Sequence, residues 1–147
     1  MRPEAGDLLM GGFGTLLMDI APNLTASYAA GSATLVGLIM YCASLEYERG
    51  AEVRRRENEM FRTIFHDAQS HLDGDLGARV REAAAGADET LTISALNAAN
   101  DALRRVLIDL HAHVEETDGA WARRTEHEIL RALDASARMR AIALPQL

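Results

Sequence analysis

The chain has 147 residues, with 22 acidic side chains against 15 basic ones, all of them arginine, and a formal charge of −7. That balance argues against a nucleic-acid module, which needs a basic face. The missing lysine amine excludes Schiff-base catalysis, a pyridoxal site and a Walker-type phosphate loop, and the single cysteine, Cys42, excludes an internal disulfide and a thiolate zinc cluster.

Nearly half of the residues are apolar while aromatics are few, so alanine and leucine, both strong helix formers, carry the apolar share. Prolines stand only at positions 3, 22 and 145, and the long stretch between the last two is free of helix breakers. The expected fold is therefore all-α, one domain over residues 1–147, built as a bundle of about five helices. The Lys-free, Arg- and Ala-rich composition matches a GC-rich bacterial genome. Two acids against one arginine in the first seven residues do not suit an export signal, so a cytoplasmic location is expected.

A first helix is expected over about Glu4 to Ile20, with Pro3 at its start and Pro22-Asn23 at its end. Leu9, Phe13, Leu16, Leu17 and Ile20 form its apolar stripe, and Gly11, Gly12 and Gly14 beside it suit close helix–helix contact. The second helix starts near Thr25, and no residue from Leu24 to Leu45 is charged. Ala26, Ala30, Ala33 and Gly37 make a small-residue stripe; Tyr28, Leu35, Ile39 and Cys42 make a bulkier one. A helix apolar on all sides is buried on all sides, in a bundle centre, an oligomer interface or a membrane. Its length just suffices to cross a bilayer. Ser27, Ser32, Thr34, Ser44 and the alanines dilute it, which makes a membrane the lesser expectation and an interface between copies the leading one.

The helical pattern continues, now amphipathic, through Val53, Met60, Phe61, Ile64, Phe65, Ala68 and Leu72. Unbroken from Thr25 to Leu72 it would be roughly 70 Å long, against about 40 Å for a compact domain of this size. The long second helix is therefore expected to kink or break near Gly50, or else to project and pair with another chain. Arg54, Arg55 and Arg56, flanked by Glu52, Glu57 and Glu59, read as a solvated face. A short third helix is expected over about Asp75 to Ala85. A fourth, capped by Asp88 or Thr90, runs to about Glu116 on the stripe Leu96, Leu103, Val106, Leu107, Leu110 and Val114. A fifth carries Trp121, Ile129, Ala132, Leu133 and Met139.

Chemistry can reside in few places. His111 and Glu115 stand four apart, as do Asp109 and His113, a spacing that lets two side chains converge on one metal or one proton. His66 adds a further candidate. Bundle metal sites draw ligands from facing helices, and no Glu-x-x-His occurs to complete such a set, so no cofactor is expected. Asn97 and Asn100 fall on or beside the core face of the fourth helix, where an asparagine must be hydrogen-bonded and specifies register or lines a cavity. The run Phe65-His66-Asp67-Ala68-Gln69-Ser70-His71-Leu72 faintly resembles the phosphoacceptor box of histidine kinases and histidine phosphotransferases, over fewer than ten residues and without most of the surrounding box. That resemblance implies a phosphotransfer module as a remote alternative.

The function expected from these features is non-catalytic. The chain is read as a structural or interaction protein that forms a homo-oligomer, a dimer in its simplest form, through the apolar N-terminal hairpin. Ala26, Ala30, Ala33, Gly37, Leu35 and Ile39 are its expected interface. The alternative is a metal- or small-molecule-binding bundle, enzymatic or not, whose pocket is bordered by His66, His111, His113, Glu115 and Asp109.

Overall fold

A computed structural model describes residues 2–145, and among them the chain is all-α, with five helices and no strand. They are α1 (Ala5–Gly14), α2 (Ser27–Ala68), α3 (Gly74–Ala85), α4 (Ile93–Glu115) and α5 (Ala120–Arg140). The chain divides into two compact units, one of residues 1–50 with 142–147 and the other of residues 51–141.

α2 is 42 residues long and runs through Gly50 without interruption. The break expected there is absent. An isolated glycine costs a helix only about 1 kcal/mol relative to alanine, and helix-forming residues stand on both sides. Gly50 marks instead the boundary between the two units.

In the first unit, α1 passes through a π-helical stretch, Thr15–Ile20, and a 3-10 turn, Ala21–Asn23. Pro22 lies in that turn, and Asn23 Nδ2 donates to the Asp19 carbonyl at 2.6 Å, satisfying one of the acceptors that a helix end leaves open. The arms α1 and α2 then meet through small residues. A Cβ on Gly37 would stand 3.4 Å from Leu16 Cβ and 3.5 Å from a Phe13 ring carbon, and one on Gly12 would overlap the Met40 side chain. Ser44 donates to the Gly6 carbonyl at 3.2 Å, and the Phe13 and Tyr41 rings lie 5.2 Å apart. Positions 37, 40, 41 and 44 thus form the face of α2 that α1 covers, at the 3–4 spacing of one helical stripe. The Tyr41 hydroxyl also donates to the Ala143 carbonyl at 3.0 Å.

The second unit is built on four helical segments, the latter part of α2 with α3, α4 and α5. Phe61, Ile64, Phe65 and Ala68 of α2 pack with Val80 of α3, Leu103, Leu107, Leu110 and Val114 of α4, and Ala122, Ile129 and Ala132 of α5. Phe61 and Phe65 have no exposed surface, and truncating such a ring typically costs about 3–5 kcal/mol. The turn Glu116–Gly119 joins α4 to α5. Gly119, at φ +150°, takes a backbone conformation that residues with a Cβ avoid, and Thr117 Oγ1 donates to the His113 carbonyl at 2.7 Å. The residue preceding α4 is Thr92, whose side chain makes no cap. Asp88 and Thr90, expected as caps, lie short of the helix, and Asp88 is engaged elsewhere.

Candidate functional site

Three features distinguish this fold from plain packing. The first is a buried polar layer in the second unit. Glu57 and Asn58 of α2 have no exposed surface, and Asn100 of α4 and Ser136 of α5 are 3% exposed. Arg140 engages the Glu57 carboxylate with two nitrogens, Nε at 2.6 Å and Nη2 closer still. Ser136 Oγ also donates to it, Asn100 Nδ2 lies at 3.2 Å and Arg104 Nη2 at 3.5 Å. The layer continues from Asn100 Nδ2 to Asn58 Oδ1 (2.9 Å), and from Asn58 Nδ2 and Arg62 Nη2 to Asp88 (3.0 and 2.7 Å). Arg104 closes it by donating to Asn100 (2.8 Å) and Ser136 (3.1 Å) while lying over the Phe61 ring. Burial pushes the Glu57 carboxyl up, but Arg140 and Ser136, with the charge of Arg104 added, outweigh it and hold the group below the ordinary glutamate range. An ionised carboxylate saturated with donors has no proton to give. It ties α2 to α4 and α5 through Asn100, Ser136 and Arg140.

The run of mixed charges around Arg54–Arg56 suggests a solvated face for Glu57 together with Glu52 and Glu59. Those two are exposed and pair with Arg55 and Arg56; Glu57 is not. The signal was present in the spacing: Glu57 stands four before Phe61 and seven before Ile64, on the same stripe. Asn100, expected at the core face, is buried there, and Asn97 accepts from Arg54 Nε at 2.5 Å.

The second feature is a cluster at the turn-proximal end of α4 and α5. One donor atom each from His111, Glu115 and Glu126 lies within 4.8 Å of the other two. His111 Nε2 is 3.5 Å from Glu115 Oε1, is shielded from solvent, and has no hydrogen-bond partner among the described residues. The remaining sequence-derived candidates do not join this group. Asp109 pairs with Arg79 of α3 at 2.7 Å rather than with His113. His113 is exposed, its ring centre 6.3 Å from that of Trp121, which stacks on His71 at 4.9 Å. His66 is exposed on α2, with Nδ1 3.4 Å from Asp67. The pocket expected to be bordered by all five is thus reduced to His111 and Glu115, joined by Glu126, which the sequence did not single out. A clue lay in the turn: His111 stands seven residues before Asp118 and Glu126 seven after Gly119, so an antiparallel pair of helices brings them level.

The third feature is the surface of the first unit. Its buried residues are small: Ala21, Gly37, Ser44 and Gly50. Several of its large apolar side chains point out, with Met18 73% exposed, Leu8 60%, Leu35 59% and Ile39 58%, while Phe13, Leu16, Leu17, Leu38 and Met40 are half-buried. Of the expected interface stripe, Gly37 is already covered by α1, Ala30 and Ala33 are half-buried, and Ala26 is exposed. Leu35 and Ile39 remain open. α2 is long and apolar enough to cross a membrane, and only 11% of its most apolar 18-residue stretch is buried within the protein. Comparison with protein-family models, curated proteins and solved structures returned no match.

Proposed function

We propose that the protein is a non-catalytic interaction module whose N-terminal hairpin inserts into a lipid bilayer and tethers the helical bundle of residues 51–141 to it. The observation that carries this reading is the packing of the hairpin: its buried residues, Ala21, Gly37, Ser44 and Gly50, are all small, while Leu8, Met18, Leu35 and Ile39 are each more than half exposed. In water the hydrophobic effect drives the reverse arrangement. In lipid, where tails are as apolar as leucine, helices associate by close contact between small residues instead.

Several further details support it. The uncharged run 24–45 has the length of a span. Tyr28 and Tyr47, both exposed, stand about 28 Å apart along α2, close to the roughly 30 Å between the two interfaces where aromatic residues collect. Thr34 Oγ1 donates to the Ala30 carbonyl at 3.0 Å, which satisfies the hydroxyl within its own helix. Arg49, Arg54, Arg55 and Arg56 follow the run, and arginines of this kind stay on the cytoplasmic side. Asp19 lies four residues from Asn23, at the hairpin's polar tip.

Flotation of the full chain with phosphatidylcholine–phosphatidylglycerol vesicles tests the reading. Co-migration that survives alkaline carbonate washing is the expected result. Protein that stays at the bottom of the gradient overturns it. The second reading, a soluble homo-oligomer through the same hairpin, is favoured by the placement of Tyr28, Leu35 and Ile39 on one face of α2 at heptad-like spacing. A lipid-free, monodisperse oligomer by light scattering would establish that reading in place of the first.

A further inference from the structure

We propose that His111, Glu115 and Glu126 bind a first-row divalent metal ion that ties α4 to α5 close to the turn joining them. The inference stands apart from the environment of the hairpin, since all three residues belong to the second unit. It begins with His111 Nε2, a buried ring nitrogen without a hydrogen-bond partner among the described residues. A buried polar atom left unpaired is costly, and the groups nearest to this one are carboxylates, which are acceptors when ionised. With its lone pair on Nε2, the imidazole would meet two carboxylates lone pair to lone pair; with the proton there, it would donate across 3.5 Å to Glu115. A proton relieves that arrangement in part; a divalent cation relieves it fully, since two carboxylates balance its charge.

The dimensions fit. Metal–ligand bonds of about 2.0–2.2 Å place donors around one ion roughly 3–3.5 Å apart. The pair His111 Nε2 and Glu115 Oε1 is already at 3.5 Å, and the whole set lies within 4.8 Å. Glutamate side chains close the remaining ångström by rotation, because Glu115 is exposed and Glu126 half-buried. The site draws on two facing helices, as bundle metal sites do. A nitrogen with two carboxylate oxygens suits zinc, manganese, iron or cobalt better than calcium, which prefers an all-oxygen shell. Three protein ligands leave a position open to water.

The backbone supports the same register. Gly119 and the Thr117 cap fix the turn between α4 and α5, while Val114, Ala122 and Ile129, all buried, hold the two helices together beside the cluster. His111 and Glu115 share the α4 face at i, i+4, and Glu126 comes level with them from α5.

The test is a calorimetric titration of the full chain, stripped with EDTA, with Zn²⁺, paired with the visible absorption spectrum of the Co²⁺ form. The expected result is one-to-one binding and a ligand-field band, with melting shifted upward by metal. His111→Gln and Glu126→Gln should each weaken binding at least about tenfold. Glu115→Gln, on an exposed residue that does not endanger the fold, should weaken it as well, whereas His113→Gln should leave it unchanged. No saturable one-to-one binding by the unaltered protein overturns the inference. So does a Glu126→Gln protein of native helicity that binds as before, or an equal loss in His113→Gln, which would mark binding by surface histidines.

Discussion

Replacing Glu57 with leucine would leave the guanidiniums of Arg140 and Arg104 without their common carboxylate, and Asn100 and Ser136 without an acceptor. Breaking a buried ion pair from one side costs about 3–5 kcal/mol. Arg140 is 41% and Arg104 34% exposed, so water reaches both and the lower end applies; a loss of about 3 kcal/mol in urea unfolding is the expected outcome. The pH dependence has a definite sign. Burial alone would raise the Glu57 carboxyl, but its arginine and serine partners hold it below the ordinary value. As pH falls, the unfolded chain takes up the proton first. The contribution is therefore complete above an unfolded value of about 4.3 and is lost as pH drops through the lower folded value. Stability measured from pH 7 down to 3 should fall less steeply in Glu57→Gln than in the unaltered protein, and parallel curves would remove Glu57 from the account.

At the scale of single elements, α3 depends on a close approach between backbones. A Cβ on Gly77 would overlap the Leu72 carbonyl, whose carbon lies 2.8 Å away. In a free helix Gly→Ala gains about 1 kcal/mol. Here the sign should reverse, because Leu72 is buried in the core and its backbone cannot yield. Gly77→Ala should lower stability by about 1–3 kcal/mol, the range for overpacking, and speed hydrogen exchange in α3 more than in α4. Gly12 presents the opposite case. The atoms its Cβ would meet are the end of the Met40 side chain, which can swing aside, so Gly12→Ala should be tolerated.

For the molecule as a whole, the decisive residues are those on the open face of α2. Arginine at Leu35 or Ile39, 59% and 58% exposed, would change the stability of a water-soluble monomer by no more than about 0.5 kcal/mol. At the middle of a membrane span the same substitution costs about 2.5–3.5 kcal/mol. Leu35→Arg and Ile39→Arg should accordingly reduce the membrane-bound fraction after alkaline washing. Conversion of a soluble oligomer to a monomer would assign the face to another copy of the chain, and no effect on either would leave the face without a partner.

Helix content, the number of helices and the stripes of α4 and α5 were legible from composition and from the spacing of Leu96, Leu103, Leu107, Leu110 and Val114, because a 3.6-residue period records one buried face wherever it packs. Of the α1 glycines expected at a close contact, Gly12 meets Met40 of α2, whereas Gly11 and Gly14 face open space. Local pattern could not say which polar residues that face takes inside. Glu57 looked solvated among the arginines around it, and only the arrival of Arg140 from 83 positions away made its burial tolerable. Glu126 gained a partner in His111 only when the turn at Gly119 set α5 against α4. The break expected at Gly50 rested on compactness, a property of the folded whole rather than of the residues that form the helix. Periodicity depends on neighbours three and four positions apart, so the sequence carries it openly. Electrostatic pairing and the choice between outside and inside depend on what comes close in space, and that is decided only in the tertiary structure.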